Sequence, residues 1–138
     1  MGTQGDKDII IRQLSDMLSR LPSLRIAYVY GSFLSRDDFR DIDIALLVEG
    51  QPDGDFIQRY AAEAGDCLEE ALEFRHECDV KLLNDLPVWL RFEIISTGML
   101  LYVRDDDDRI DYETQVLVEY QDIKSMYDLF DREYLAQA

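Results

Sequence analysis

The run from Asp41 to Val48 constrains this chain more than any other. Ile42, Ile44, Leu46 and Val48 alternate with Asp41, Asp43, Ala45 and Leu47. A repeat of two is the mark of a β-strand. The far end is apolar on both parities, as in a strand buried on both faces of its sheet. The near end carries two carboxylates on one parity. The chain has to cover one end of this strand on both sides and leave the other end to two acids.

The flanking segments supply the cover. Residues 6–20 predict a helix, with Ile9, Ile10, Leu14, Met17, Leu18 and Leu21 at three-to-four spacing, ended by Leu21-Pro22-Ser23. Arg25 to Tyr30 is a short β-rich run that Gly31-Ser32 stops. Ser32 to Phe39 is a tight polar connection with room for a turn of helix. After the loop Gly50 to Gly54, residues 55–74 predict a second helix and Cys78 to Leu83 a third strand. Asn84-Asp85-Leu86-Pro87 reads as the cap of a third helix that runs to about Thr97, with Gly98 as its stop. Met99 to Arg104 is a fourth strand. Asp105 to Asp108 open a long final helix to about Leu135, where acids suit the positive end of the helix dipole. The order α-β-β-α-β-α-β-α predicts an α/β (α+β) domain, a small mixed sheet with packed helices. A single domain is expected over 1–138, with its core at about 6–104 and the final helix at about 105–135.

The near end of the strand is where chemistry is expected. On a strand, residues two apart face the same way, so Asp41 and Asp43 project together, roughly 7 Å apart at the backbone. Two anions held that close repel, and a divalent cation relieves the repulsion. Carboxylate oxygens suit Mg²⁺, which takes one or two of them and fills its shell with water and phosphate. Gly31, just after a strand, lets the backbone approach a phosphate. A helical turn starting at Ser32 would add free N–H groups and a hydroxyl. Strand, Gly-Ser, turn and Asp-x-Asp strand together point to a metal–nucleotide site.

Tyr28-Val29-Tyr30-Gly31-Ser32 followed by Asp41-Ile42-Asp43-Ile44 resembles the active-site signature of the polymerase-β-like nucleotidyltransferase superfamily, although the connection from Ser32 to Asp41 is shorter than is common there. A third carboxylate of that superfamily often lies on a later strand, and Asp79 in Cys78-Asp79-Val80-Lys81-Leu82-Leu83-Asn84 stands in its place. The match extends over about residues 6–135. Asp79 to Asp85, the apolar helix, Gly98-Met99-Leu100-Leu101-Tyr102, the acidic turn and the long helix with Tyr120-Gln121-Asp122 look like the antitoxin-type minimal nucleotidyltransferases. The resemblance implies Asp41, Asp43 and Asp79 as catalytic residues and ligands of Mg²⁺ (or Mn²⁺). It implies Gly31 and Ser32 as the nucleotide-binding pair, and ATP as substrate. It also implies a HEPN-domain RNase toxin as partner, neutralised by transfer of AMP to a tyrosine. Two other readings share these residues: a module that neutralises a basic toxin by contact alone, and an enzyme acting on a small-molecule hydroxyl.

Composition narrows the setting. Thirty acids against fourteen bases give a net charge of −16. Such a surface repels nucleic acid and anionic membrane and suits a basic protein partner or a salt-adapted host. No apolar run is long enough to span a membrane. The polar N-terminus carries no signal-peptide pattern. Cys67 and Cys78 form neither a disulfide framework nor a metal spacing. A cytoplasmic protein is expected, with homo-oligomerisation left open. Lys81 shares a strand face with Asp79, either to meet a phosphate or to pair with that acid. Arg36 and Arg40 read as exposed loop residues, His76 as a surface residue and Cys67 as a small core residue. Val116, Tyr120, Ile123, Tyr127, Phe130 and Tyr134 form a stripe on the last helix. Packing on the domain's own sheet is its first reading, and a partner contact for its distal turns the second.

Overall fold

The computed structural model describes residues 4–137. Met1 to Thr3, the start of the polar N-terminus, lie outside them, as does the side chain of Tyr134. Five helices and four strands follow one another as α1 (Gln4–Leu18), β1 (Leu24–Tyr30), α2 (Ser32–Ser35), β2 (Asp41–Val48), α3 (Gly54–Ala71), β3 (Glu77–Leu82), α4 (Val88–Thr97), β4 (Met99–Val103) and α5 (Asp106–Gln137). The sheet order is β3-β2-β1-β4. β1 runs antiparallel to β2 and β4, and β2 runs parallel to β3. The mixed sheet expected from the sequence is present, and β2 has the predicted bounds.

Parity along β2 sorts the core. Ile42, Ile44, Leu46 and Val48 pack with Leu14 and Leu18 of α1 and Ala64 and Leu68 of α3. Ala45 and Leu47 face the other way, with Ile26, Tyr28, Ile94 of α4, and Tyr112 and Val116 of α5. Helices therefore cover both faces, which is why the strand's far end is apolar on both parities. A register shift between Leu24 and Ile26 lets Leu24 join the α1/α3 side while Ile26 joins the other.

Three local readings need correction. α3 ends at Ala71 rather than near residue 74, because Glu73 and Phe74 both take left-handed backbone (φ 56° and 60°) and the Phe74 N–H closes back on the Glu69 carbonyl. Asn84 does not cap α4. It sits in a short 3-10 turn (Leu83–Asp85), where its amide accepts from the Val48 N–H and donates to the Val48 carbonyl, each at 3.0 Å. It thus finishes the end of β2 as another strand would. His76 is half-buried, its ring 5.0 Å from that of Phe39.

Lys7, unremarked in the sequence, is the buried charged residue among those described, 7% exposed. Its ammonium donates to the Arg36 carbonyl at 2.8 Å and lies over the rings of Phe33 and Phe39. It ties α1 to the connection between β1 and β2. Among the described residues no helix is long and apolar enough to cross a membrane.

Candidate functional site

The site grows from the end of the sheet where β1 stops. Gly31 follows Tyr30 at φ 78°, ψ −149°, a backbone region that essentially only glycine occupies. That turn starts α2 at Ser32. A Cβ built on Gly31 would stand 2.5 Å from Oδ2 of Asp43. The glycine is required twice here, by its φ and by the carboxylate beside it.

Register places the acids. Asp43 is the neighbour of Tyr30 across β1 and of Asp79 across β3, and Asp41 is opposite Glu77. Asp41 and Asp43 continue the parity of Ala45 and Leu47, so they lie on the α4/α5 face, as the alternation predicts. Asp41 is exposed and Asp43 half-buried. Burial, then the charges of Asp79 and Asp41, hold the Asp43 carboxyl above its ordinary range, with Lys81 opposing them. Lys81 Nζ donates to Oδ2 of Asp79 at 3.1 Å, and this bond raises the ammonium above its usual value. The charge-pair reading of Lys81 is the one observed. Burial likewise pushes the Tyr30 phenol up, against the pull of nearby Lys81.

The structure thus brings together Gly31, Asp43 and Asp79, with Asp41 two residues along the strand and Ser32 at the turn. Among the described residues, no three His, Cys, Asp or Glu side chains converge as an ion cage. Tyr30 and Lys81 complete the cluster. Tyr30 carries no local signal of a site role, because only strand register sets it beside Asp43. Lys7 had a readable signal: it lies on the helical stripe of Ile10, Leu14 and Leu18. Arg36 forks onto its loop neighbour Asp38 at 2.8 and 2.9 Å, and Arg40 is exposed.

The donor chemistry fits Mg²⁺. Asp43 and Asp41 offer hard oxygens at one sheet end, and a cation there would favour the charged form of Asp43, which burial first and the neighbouring acids second disfavour. Two carboxylates with water and phosphate make an ordinary Mg²⁺ shell, so a closed protein cage is not needed.

Solved structures share this fold. A chain of tri-AMPylated Shewanella oneidensis HEPN toxin in complex with MNT antitoxin matches with 22% identity over 96% of this chain and 98% of that one, TM-score 0.61. A toxin–antitoxin crystal structure with AMP-PNP matches with 23% identity over 94% and 98%, TM-score 0.64. The toxin–antitoxin MntA–HepT matches with 22% identity over 96% and 99%, TM-score 0.60. At these identities the likeness establishes the fold. No curated protein matches the chain. The family model described as polymerase beta, nucleotidyltransferase, covers residues 12–107, from α1 through the Gly-Ser turn and all four strands. With most of its length inside that model, the chain belongs to the polymerase-β nucleotidyltransferase family.

Proposed function

We propose that this protein transfers AMP from ATP to a tyrosine hydroxyl of a HEPN-domain toxin and thereby neutralises it. The observation that carries the reading is the apposition of Gly31, Asp43 and Asp79 at one sheet end within a nucleotidyltransferase fold. The solved complex of an AMPylated HEPN toxin with an MNT antitoxin supports the choice of partner and of AMP as the group transferred.

In this mechanism Asp41 and Asp43 would hold the Mg²⁺ that accompanies ATP. Bound there, the ion would neutralise charge on the triphosphate. Gly31 leaves room for the outer phosphates, and the Ser32 hydroxyl and turn N–H groups donate to them. Asp79 accepts the proton of the attacking tyrosine, with Lys81 fixing its carboxylate. The tyrosine oxygen forms a bond to the α-phosphorus, the bond to the β-phosphate oxygen breaks, and pyrophosphate leaves.

A second reading, neutralisation by contact alone, draws support from the uncovered distal turns of α5. Co-expression of the toxin with wild type and with an Asp41→Ala, Asp43→Ala variant separates the two. An AMP-transferring antitoxin adds AMP mass to the toxin and loses both mass and protection in the variant. Full protection by the variant, with no AMP ever found, would leave only the contact reading.

A further inference from the structure

α5 is 32 residues long, about 48 Å at 1.5 Å per residue. Its first half packs: Tyr112 and Val116 are buried, and the Tyr120 ring stacks on Phe92 at 3.8 Å. From Gln121 to Glu133 every residue is exposed. The helix has left its domain.

The apolar face does not stop with the domain. Val116, Tyr120, Ile123, Tyr127 and Phe130 follow one another at alternating steps of four and three, which keeps them in one seam. Val116 and Tyr120 lie against the domain, and the same seam then runs into solvent. Tyr127 is 63% and Phe130 68% exposed, and Met126 borders them. Exposed apolar surface on a rigid element, continuous with a core seam, marks an interaction site. Aromatic anchors are what protein interfaces favour.

Charge selects the occupant. The free half carries Asp122, Asp128, Asp131 and Glu133 against Lys124 and Arg132, on a chain of net charge −16. A second copy would bring its own −16 to the contact, over a described seam shorter than the three or four heptads expected of a coiled coil. A basic partner removes the charge obstacle, and a groove rather than a single paired helix removes the other.

We propose that the free half of α5, centred on Ile123, Tyr127 and Phe130, docks in a groove of a partner protein that is apolar along its middle and lined with Arg or Lys at its edges. The partner's identity as the toxin rests on the function proposed above. The placement of the docking surface does not use the carboxylate site, which lies at the sheet end. The anchor residues enter the partner's apolar groove, while Asp131 beside the seam and the negative field of the chain attract its basic rim.

The test uses the full chain and the purified HEPN-domain toxin of the same genome, made RNase-inactive. Wild type, Tyr127→Ser with Phe130→Ser, and Asp122→Lys with Asp131→Lys are compared by surface plasmon resonance. Thermal melting and ATP calorimetry verify that each variant keeps its fold and its nucleotide site. The aromatic variant is expected to weaken binding at least tenfold through faster dissociation. The charge variant is expected chiefly to slow association. Wild-type binding that the aromatic variant leaves unchanged overturns this docking surface and leaves the toxin reading standing. No binding by wild type overturns the toxin reading and this occupant with it. A wild-type dimer in sedimentation that the aromatic variant dissolves would assign the surface to a second copy instead.

Discussion

At the scale of single residues, Gly31 and Asp43 form a pair in which one explains the other. The glycine backbone fits only because it lacks the Cβ that would stand 2.5 Å from Asp43 Oδ2. Gly31→Ala is expected to reduce the proposed AMP transfer at least tenfold, since the methyl displaces the carboxylate proposed to hold the metal. Its stability cost should be about 1–3 kcal/mol, from the strained φ. Steady-state kinetics and urea denaturation read the two effects separately. Asp43 predicts a trade of the opposite kind. Its folded carboxyl titrates above the ordinary range, so the native state holds that proton more tightly than the unfolded chain does. The stability linked to this proton is present at low pH and is lost as pH rises through the raised value. In metal-free buffer at pH 7, Asp43→Asn should therefore raise Tm while abolishing the proposed transfer. The gain should shrink as pH falls below the ordinary aspartate range. An equal gain at both pH extremes would show that the Asp43 charge, disfavoured mainly by burial, is not its source.

At the scale of elements, two polar side chains substitute for missing backbone partners. Asn84 closes the end of β2 with two 3.0 Å bonds to Val48. Asn84→Ala should cost about 1–3 kcal/mol, because it strips partners from strand-end groups that are partly shielded from water. Lys7 pins the connection that carries α2. Lys7→Met keeps an apolar side chain of similar length but removes the bond to Arg36 and the ammonium over the two rings. The expected outcome is a larger rise in KM for ATP than fall in stability, measured by kinetics beside a melting curve. These residues also show what a sequence can reveal. β2 was legible to the residue, because alternation and two-sided burial leave one strand assignment, and parity alone put Asp41 and Asp43 on one face. The closeness of Asp79 and Tyr30 to Asp43 was not legible from local pattern. It depends on register across a helical crossover and a turn. Asn84 was read as a cap because Asn before an apolar helix usually is one, and its bonds to Val48 span 36 residues. The end of α3 was overrun because nothing in Glu73-Phe74 advertises left-handed backbone. The long stripe of α5 was read first as core, which holds as far as Tyr120, because periodicity gives the face of a helix and not how far the domain beneath it reaches.

At the scale of the whole molecule, charge governs encounter. A chain of net charge −16 with pI near 4.2 surrounds itself with a negative field. Phosphate backbones meet repulsion, and few lysines or arginines are present to release counterions, which is the step that drives nucleic-acid binding. Free RNA and DNA, single- or double-stranded, should therefore show no binding in gel shifts at physiological salt. Tight binding that weakens steeply as salt rises would reveal a basic patch outweighing the global field. A cationic protein is drawn in by the same field, from a distance set by the Debye length of about 8 Å at physiological ionic strength. Steering of this kind acts on the association rate, because it operates before contact and fades once desolvated side chains hold the complex. Raising NaCl from about 50 mM to about 500 mM is expected to slow association with a basic partner by about tenfold or more. Dissociation, set by the apolar anchors on α5, should change far less. Stopped-flow measurements across that range decide the matter. A salt effect confined to dissociation would place the charges inside the contact rather than around it, and the acidic surface would then contribute to grip and not to capture.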